Sequence, residues 1–454
     1  MTQIETDALV ALRAVETELD RRWPESRIEP SLTRIAALVD LLGMPQRGYP
    51  VLHIAGTNGK TSVARMLDAL LTRIGLRTGR YTSPHLQRVT ERISLDGVPI
   101  GPQRYVEAYQ DIAPYVAMVD AGSPVPMSKF EVLTGMAFAT FADAPVDAAV
   151  IEVGLGGSWD ATNVADGAVA AITPVALDHT YHLGGDTASI AAEKAGIIKP
   201  GSVGVLAAQP PEVAGVIAAR SVEVNATVAS AGREFGVLHR DVTVGGQRLK
   251  LQGLGGVYDQ ILLPLHGEHQ AHNAVLALAA AEAFFGAGAS RSLDVDVVRD
   301  AFATVTAPGR LERVRTAPSV FLDGAHNPHA ARALATALRA EFDFRRLVVV
   351  LGVMRDKDVR GILVELEPVV DEVVVTTSSS PRAMNTDTLA DVAREVVGAK
   401  RLQVKPRLAD AIETAMASVE DVDPGVDRIS GAGVVITGSV VTVGEARTLF
   451  GREP

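Results

Sequence analysis

The chain contains no cysteine, and it lacks any apolar stretch approaching 18 residues. The first absence excludes disulfides, thiolate metal sites and a cysteine nucleophile, so any metal must be held by oxygen or nitrogen ligands. The second argues against a membrane-spanning helix. Residues 1–20 form an acidic, amphipathic pattern without the basic and apolar regions of a secretion signal, and we therefore expect a cytoplasmic location.

Charge and length narrow the class of protein further. The 43 basic and 54 acidic residues give 43 − 54 = −11, which argues against broad binding to nucleic acid or anionic membranes but leaves small anions open as substrates. Hydrophobic residues make up 47% and charged residues 21% of the 454 positions, a globular composition. A chain of this length exceeds one hydrophobic core, and we expect two domains.

Residues 53–62 read His-Ile-Ala-Gly-Thr-Asn-Gly-Lys-Thr-Ser, an apolar run that leads into a glycine-rich turn ending in a lysine and two hydroxyls. Such a turn points backbone N–H groups at a phosphate, while the lysine adds a charge and a hydroxyl can reach Mg²⁺. Apolar residues at helical spacing follow over 63–74. An ordinary strand-to-helix turn is the weaker interpretation. The expected nucleotide contacts are Gly56, Thr57, Asn58, Gly59, Lys60, Thr61 and Ser62.

Alternating strand and helix patterns predict an α/β fold. A P-loop ATPase domain with a mainly parallel sheet is expected over 1–305, with a small antiparallel insertion at 224–265. A new series of strands and helices then predicts a smaller Rossmann-like α/β domain over 306–454.

Three groups of residues at predicted strand or helix ends could carry chemistry. Glu152 ends an apolar strand, where a hard oxygen ligand for Mg²⁺ would be needed, although a solvated acid is the alternative. His179, considered alone, is more often a surface histidine, and Lys194 a solvated cation. Asp323 and His326 precede Asn327-Pro328, which could also be a capped helix start without chemistry.

Eight motifs in order resemble the folylpolyglutamate synthase/dihydrofolate synthase family of the Mur ligase group. They are GTNGKT at 56–61, YTSPHL at 81–86, ERI at 91–93, EVGLGG at 152–157, DHTYHLG at 178–184, EKAGIIKPG at 193–201, PGR at 308–310 and DGAHNP at 323–328. The roughly 50 residues before the first motif are too few for the UDP-binding domain of Mur ligases proper.

The resemblance implies that ATP lies between two domains with two Mg²⁺ ions. Lys60 would contact the β and γ phosphates, and Lys194 would be the lysine that is carbamylated in the family. The first ion would be held by Thr61, Ser83 and Glu152, and the second by Glu152 and His179. The nucleotide would also be contacted by Asn273, Arg310 and Asp323. The incoming glutamate would lie near His326 and Ser439. The family's commonest loop has glycine at position 61, so Ser62 could supply the hydroxyl instead; we prefer Thr61.

The activity implied by the resemblance is ATP-dependent ligation of L-glutamate to dihydropteroate, to folates that already carry glutamate, or to both. We expect both activities, through an acyl phosphate, in a monomer that has small-molecule substrates and no nucleic-acid or membrane partner. A Mur-type ligase acting on a non-folate acid is the nearest alternative. A nucleotide-dependent switch is more distant, because it leaves Glu152, His179, Lys194 and Asp323 unexplained.

Overall fold

A computed structural model describes residues 3–23, 29–286, 291–420 and 431–453. Its helices are α1 (Gln3–Asp20), α2 (Thr33–Leu41), α3 (Lys60–Ile74), α4 (Pro102–Gly122), α5 (Lys129–Asp143), α6 (Thr180–Leu183), α7 (Thr187–Ala195), α8 (Pro211–Glu223), α9 (Glu268–Phe284), α10 (Val295–Ala303), α11 (Pro328–Glu341), α12 (Val359–Leu366), α13 (Thr386–Val397), α14 (Leu408–Glu420) and α15 (Val440–Leu449).

The strands belong to three sheets. They are β1 (Val51–Ala55), β2 (Thr78–Tyr81), β3 (Ile93–Leu95), β4 (Val98–Pro99), β5 (Ala148–Glu152), β6 (Gly167–Ile172), β7 (Val203–Leu206), β8 (Thr227–Ser230), β9 (Gly236–Thr243), β10 (Gly246–Gln252), β11 (Val257–Leu263), β12 (Glu312–Thr316), β13 (Ser319–Leu322), β14 (Arg346–Leu351), β15 (Glu372–Val375), β16 (Leu402–Val404) and β17 (Ala432–Thr437).

The largest sheet has the order β4-β3-β2-β5-β1-β6-β7-β8, and its strands from β2 to β8 run parallel. Ile54 pairs with Glu152, and Ala55 pairs with Ile172. The segments that follow β1, β2, β5 and β6 therefore meet at one edge of this sheet, as the α/β pattern predicted.

Helices cover both faces of this sheet because its strands are apolar on both sides. Leu52 and Ile54 of β1 pack in one core with α3 and α9, whereas Val51 packs in a second core with α2 and α5. Helix α9 is alanine-rich and buried around most of its circumference, so α3 can approach it closely. Helix α3 is thus held between the sheet and α9, which fixes the phosphate loop at its N-terminus.

The antiparallel insertion is smaller than the sequence predicted. Strands β9, β10 and β11 form a three-stranded antiparallel sheet, as expected. Strand β8, which also lies within 224–265, instead pairs parallel with β7 and extends the large sheet. A four-residue strand carries too little alternation to show which sheet it joins, and the pairing is decided by the preceding α8 crossover.

The third sheet has the order β12-β13-β17-β14-β15-β16, parallel except for β12 at its edge. Helices pack on both faces, and the arrangement is the Rossmann-like α/β fold that was expected. The connection from α10 to β12 spans 304–311 and joins this sheet to the rest of the chain. Within the described ranges, no helix combines the length and apolar character needed to cross a bilayer.

Candidate active site

The phosphate loop runs from the end of β1 to the start of α3, and two of its glycines are required by their surroundings. Gly59 has φ +91°, and a Cβ there would lie 2.6 Å from Asn273 Oδ1. Gly56 has φ +142°, and a Cβ would lie 1.8 Å from Thr173 Oγ1. Thr57 Oγ1 donates to Ala176 O at 3.0 Å. The loop is therefore packed against α9 on one side and the segment after β6 on the other.

Two lysines converge on one carbonyl of this loop. Lys60 Nζ donates to Gly56 O at 3.1 Å, and Lys194 Nζ donates to the same oxygen at 2.9 Å. Burial lowers the pKa of both amines, to about 7 for Lys194, and the charge of Lys60 lowers the pKa of Lys194 further. Two desolvated amines this close together favour a bound anion, or an anionic group on one of them.

Glu152 lies at the carboxyl end of β5, buried beneath the phosphate loop. Its two carboxylate oxygens accept the Thr61 hydroxyl at 2.9 and 3.1 Å, and the backbone N–H of Ser83 also donates to it. Burial raises the pKa of Glu152, although the charge of Lys60 opposes that effect. Ser62 instead faces Gln270, whose Nε2 lies 3.4 Å from its hydroxyl. Of the two hydroxyls that the sequence left open, Thr61 is therefore the one that contacts the acid.

His179 and Asp178 follow β6 and face the Rossmann-like unit. Asp178 Oδ1 accepts from Lys357 Nζ at 2.6 Å, and His179 Nε2 lies 3.4 Å from the same ammonium. Burial alone would raise the pKa of Asp178, but the hydrogen bond from His326 and the nearby positive charges hold it well below its usual range. Burial lowers the pKa of His179 to about 3, so its ring is neutral.

Lys357 was missed from the sequence; it stands six residues after the end of β14, whereas Asp323 directly follows β13. Its side chain is 7% exposed. A lysine between two aspartates resembles a solvated charged turn when nothing shows that another unit covers it.

Asn327 connects the two units. Its Oδ1 accepts from Ala330 N at 2.9 Å and so caps α11, which confirms the expected helix start with Pro328 at its first position. Its Nδ2 donates to Asn58 Oδ1 at 3.0 Å and to Asp178 Oδ2 at 2.9 Å. The capped turn and the contact with the phosphate loop, which the sequence treated as alternatives, are made by the same side chain.

Asp323 and Arg310 lie on the Rossmann-like side of the same cavity. Asp323 accepts from Leu311 N at 2.8 Å and from Ala325 N at 2.9 Å, which fixes the turn after Arg310 to the end of β13. Burial raises the pKa of Asp323, and the charge of Arg310 opposes this. Asn273, on α9, donates to Gln270 Oε1 at 3.1 Å and stands beside Gly59.

Two cavities meet at this site. The larger, of about 800 Å³, is lined by the phosphate loop, Glu152, Lys194, Asn273, Arg310 and Asp323. The smaller, of about 450 Å³, contains both tryptophans of the chain, Trp23 and Trp159, together with Phe130 and Ser439. Both cavities are lined by Ser83, Pro84, Gly154, Leu155, His179, His326 and Val440. The structure thus brings the residues selected from the sequence to one pair of adjoining cavities.

Ser439 and His326 are oriented by their own local bonds. Ser439 Oγ accepts from Thr442 N at 3.0 Å and caps α15. His326 Nδ1 lies 2.8 Å from Gly324 O, and because a carbonyl can only accept, Nδ1 carries a proton. The other ring nitrogen, Nε2, lies 3.6 Å from Asp178 Oδ2. Among the described residues, no three histidine, aspartate or glutamate side chains are grouped to hold a metal ion.

Comparisons with known proteins agree with this geometry. The family model described as "Mur ligase, glutamate ligase domain" matches residues 309–439. The chain is 61% identical to the dihydrofolate synthase/folylpolyglutamate synthase of Mycobacterium tuberculosis over 99% of this chain and 96% of that protein. It is 33% identical to the Escherichia coli protein of the same name over 80% and 81%.

Solved structures show the same similarity. The M. tuberculosis folylpolyglutamate synthase complexed with ADP superposes with a TM-score of 0.95 at 59% identity, covering 98% of this chain and 100% of that one. E. coli FolC in complex with DHPP and ADP gives 0.83 at 29% identity, covering 97% of each chain.

A phosphate-loop unit joined to a Rossmann-like unit, with lysines and a buried carboxylate at their junction, defines an ATP-dependent ligase of the Mur type. Given the extent of the identity, the chain belongs to the dihydrofolate synthase/folylpolyglutamate synthase family.

Proposed function

We propose that the protein joins L-glutamate to dihydropteroate and to folates that already carry glutamate, at the expense of ATP. The observation that carries the proposal is the junction of the two cavities. A cavity with a phosphate loop opens at Ser83, His179 and His326 onto an aromatic-lined cavity. A terminal phosphate in the first cavity and the carboxyl group of a flat aromatic acid in the second could meet at this junction.

We further propose that residues 1–305 bind ATP and residues 306–454 bind and present glutamate. The separate sheets support this division, as does the match of the glutamate ligase family model to 309–439. ATP would contact Gly56, Thr57, Asn58, Gly59, Lys60, Thr61 and Ser62, with Asn273, Arg310 and Asp323 around the rest of the nucleotide.

Two Mg²⁺ ions fit the residues present. Glu152 is buried, and no lysine or arginine of the described chain lies within 4.0 Å of its carboxylate, so a bound cation would supply the missing countercharge. Thr61, Ser83 and Glu152 would hold the first ion, and Glu152 with the neutral His179 the second. When bound, the ions would neutralise charge on the phosphates. Phosphate oxygens and water would complete the ligand sets, because protein carboxylates are few here.

Lys194 is proposed to carry a carbamate. Its neutral amine attacks the carbon of CO₂ and loses one proton, which converts a potential cation into an anion. A pKa of about 7 keeps a large share of the amine neutral at physiological pH, as that reaction requires. The change removes the repulsion between the two amines that share Gly56 O.

The reaction has two steps. An oxygen of the acceptor carboxylate attacks the γ-phosphorus of ATP, and ADP leaves; Lys60 stabilises the charge on the transferred group. The amine of glutamate then attacks the acyl carbon, and phosphate leaves with that oxygen. We propose that His326 lies beside the incoming amine, which loses its proton to water as the amide bond forms.

The glutamate carboxylate is proposed to lie at the N-terminus of α15. The Ser439 hydroxyl is already engaged with Thr442, so it contributes by fixing this helix end. The first-turn residues Val440 and Val441 line the smaller cavity, and their N–H groups suit a carboxylate.

The test supplies purified protein with ATP, Mg²⁺, L-glutamate and either dihydropteroate or a folate. We expect an amide product and one phosphate for each bond formed. A panel of non-folate acids distinguishes a Mur-type ligase of other specificity, and Lys60→Ala is the inactive control. Phosphate release without an amide from any pterin acid would overturn the assignment.

We also propose that the protein acts as a monomer in the cytoplasm on small molecules, without a nucleic-acid or membrane partner. The net charge of −11 and the composition support this. Light scattering of the purified protein with and without substrates tests the oligomeric state.

A further inference from the structure

Four lysines and arginines of the described chain line the smaller cavity, and three of them are engaged with well-buried partners. Arg34 binds Glu131 at 3.0 and 3.2 Å and also Glu29. Arg92 is buried and donates to His85 Nδ1 at 3.0 Å. Lys357 is paired with Asp178.

Arg382 is the fourth, and its situation differs. Its side chain is 48% exposed, and its Nη2 donates to Asp356 Oδ1 at 2.9 Å, an acid that is itself 43% exposed. An ion pair in such solvent contact contributes little free energy, and most of the five N–H donors of the guanidinium remain available to a ligand.

The backbone around Arg382 is nonetheless held in place. Arg382 O accepts from Arg355 N at 3.0 Å, and Met354 forms a bridge with Ala383. Ser379, in the same connection, donates through its backbone N and its hydroxyl to Glu445 of α15 at 2.8 and 2.6 Å. A guanidinium on a fixed backbone at a cavity wall is suited to recognition of a carboxylate.

The order of the strands in the third sheet places Arg382 at a distance from His326, which lies at the junction of the two cavities. His326 follows β13, Ser439 follows β17, Lys357 follows β14 and Arg382 follows β15, which are consecutive neighbours in the sheet. Three strand spacings place the end of β15 roughly 14 Å from that of β13. A single glutamate whose amine lies at the junction of the two cavities is too short to reach Arg382. A γ-linked tail of two or more glutamates is long enough, and it carries one α-carboxylate per residue.

We propose that Arg382 is a specificity-determining residue that binds an α-carboxylate of the glutamate tail already carried by the acceptor. This inference rests on the proposed function. Dihydropteroate has no carboxylate besides the reacting one, so Arg382 has nothing to bind in that substrate. The same site therefore accepts both kinds of acceptor, and Arg382 favours a folate whose tail has at least two glutamates.

The test compares Arg382→Gln with the wild type on three acceptors: dihydropteroate, a folate monoglutamate and a folate diglutamate. We expect kcat/KM for the diglutamate to fall about tenfold through a higher KM, as for loss of one charge-assisted hydrogen bond. The monoglutamate should be unaffected, because its single α-carboxylate belongs to the same residue as the reacting γ-carboxylate and cannot span this distance. Turnover of dihydropteroate, and the KM for L-glutamate measured with it, should be unchanged. Arg394→Gln is the matched control, because Arg394 is 50% exposed, pairs with Asp391 and lies outside both cavities.

A second measurement changes the ligand instead of the protein. Replacing the tail α-carboxylates by carboxamides should weaken binding to the wild type about tenfold and leave Arg382→Gln unaffected. Quenching of Trp23 and Trp159, which line this cavity, gives affinities without turnover. Equal losses with all three acceptors, no loss with the diglutamate, or a raised KM for L-glutamate would each overturn the proposal. Dihydropteroate ligation by Arg382→Gln would still uphold the proposed function.

Discussion

Lys194→Met tests the electrostatics of the site through stability. The Lys194 amine is buried, donates to Gly56 O at 2.9 Å and has its pKa lowered from 10.5 to about 7 by burial and by Lys60. Methionine has a similar length and no charge, so it fills the same space without the penalty of a desolvated cation.

The sign of the pH dependence follows from the pKa values. Between pH 7 and 10.5 the unfolded chain binds a proton at Lys194 that the folded chain does not. The free energy of unfolding of the wild type should therefore rise with pH across this window, with the full penalty present below pH 7. The slope approaches about 1.36 kcal/mol per pH unit once the folded amine is neutral, so the wild type should gain about 2 kcal/mol relative to Lys194→Met between pH 7 and 9.

Urea unfolding in CO₂-free buffer, followed by tryptophan fluorescence, measures this difference, since Trp23 and Trp159 both lie in the ATPase unit. Lys250→Met is the control, because the Lys250 side chain on β10 is 44% exposed and pairs with the similarly exposed Asp259. A difference between the wild type and Lys194→Met that stays flat from pH 6 to 9 would refute the reasoning. With ¹³C-bicarbonate at pH 8, a carbamate signal should appear in the wild type and be absent from Lys194→Met.

Four further substitutions test the site. Lys60→Ala should abolish turnover with an unchanged circular dichroism spectrum, because its amine contacts loop carbonyls and no core element depends on it; near-normal rates would refute the phosphate assignment. Thr61→Val should lower kcat by ~10²-fold and raise the Mg²⁺ concentration needed for activity, whereas Ser62→Ala should change each quantity by less than about threefold. If a magnesium titration shows the larger effect for Ser62→Ala, the magnesium-binding hydroxyl belongs to Ser62. Lys357→Ala should destabilise the protein by about 3 kcal/mol, because it leaves Asp178 buried without its closest cation, and an unchanged melting temperature would show that this pair contributes nothing between the units.

Much of the fold could be predicted because periodicity is strong in long or fully apolar elements. The apolar runs 51–55 and 148–153 predict β1 at its observed bounds and β5 to within one residue. Strand β2 was expected near 78–81, where it is found. Strand β8 was assigned to the wrong sheet, because its partner β7 lies more than 20 residues earlier and pairing is a tertiary property. The segments 24–28 and 287–290 lie outside the described residues.

Site residues could be predicted from the sequence where a residue at the end of a strand has a side chain suited to a specific chemical role. Glu152 and the phosphate loop follow that rule, and the structure brings them together. Lys357 and Arg382 could not be selected in this way, because their value depends on the cavity that the two units form and not on local sequence. The choice between Thr61 and Ser62 also needed the structure, since adjacent residues on a helix point about 100° apart.

The central claim is that ATP activates a carboxylate so that an amine can displace phosphate. The most direct measurement labels both carboxylate oxygens of dihydropteroate with ¹⁸O and follows the label by mass spectrometry during ligation. An acyl phosphate predicts one ¹⁸O atom in each phosphate released and one retained in the amide. Unlabelled phosphate formed together with the amide would contradict the account.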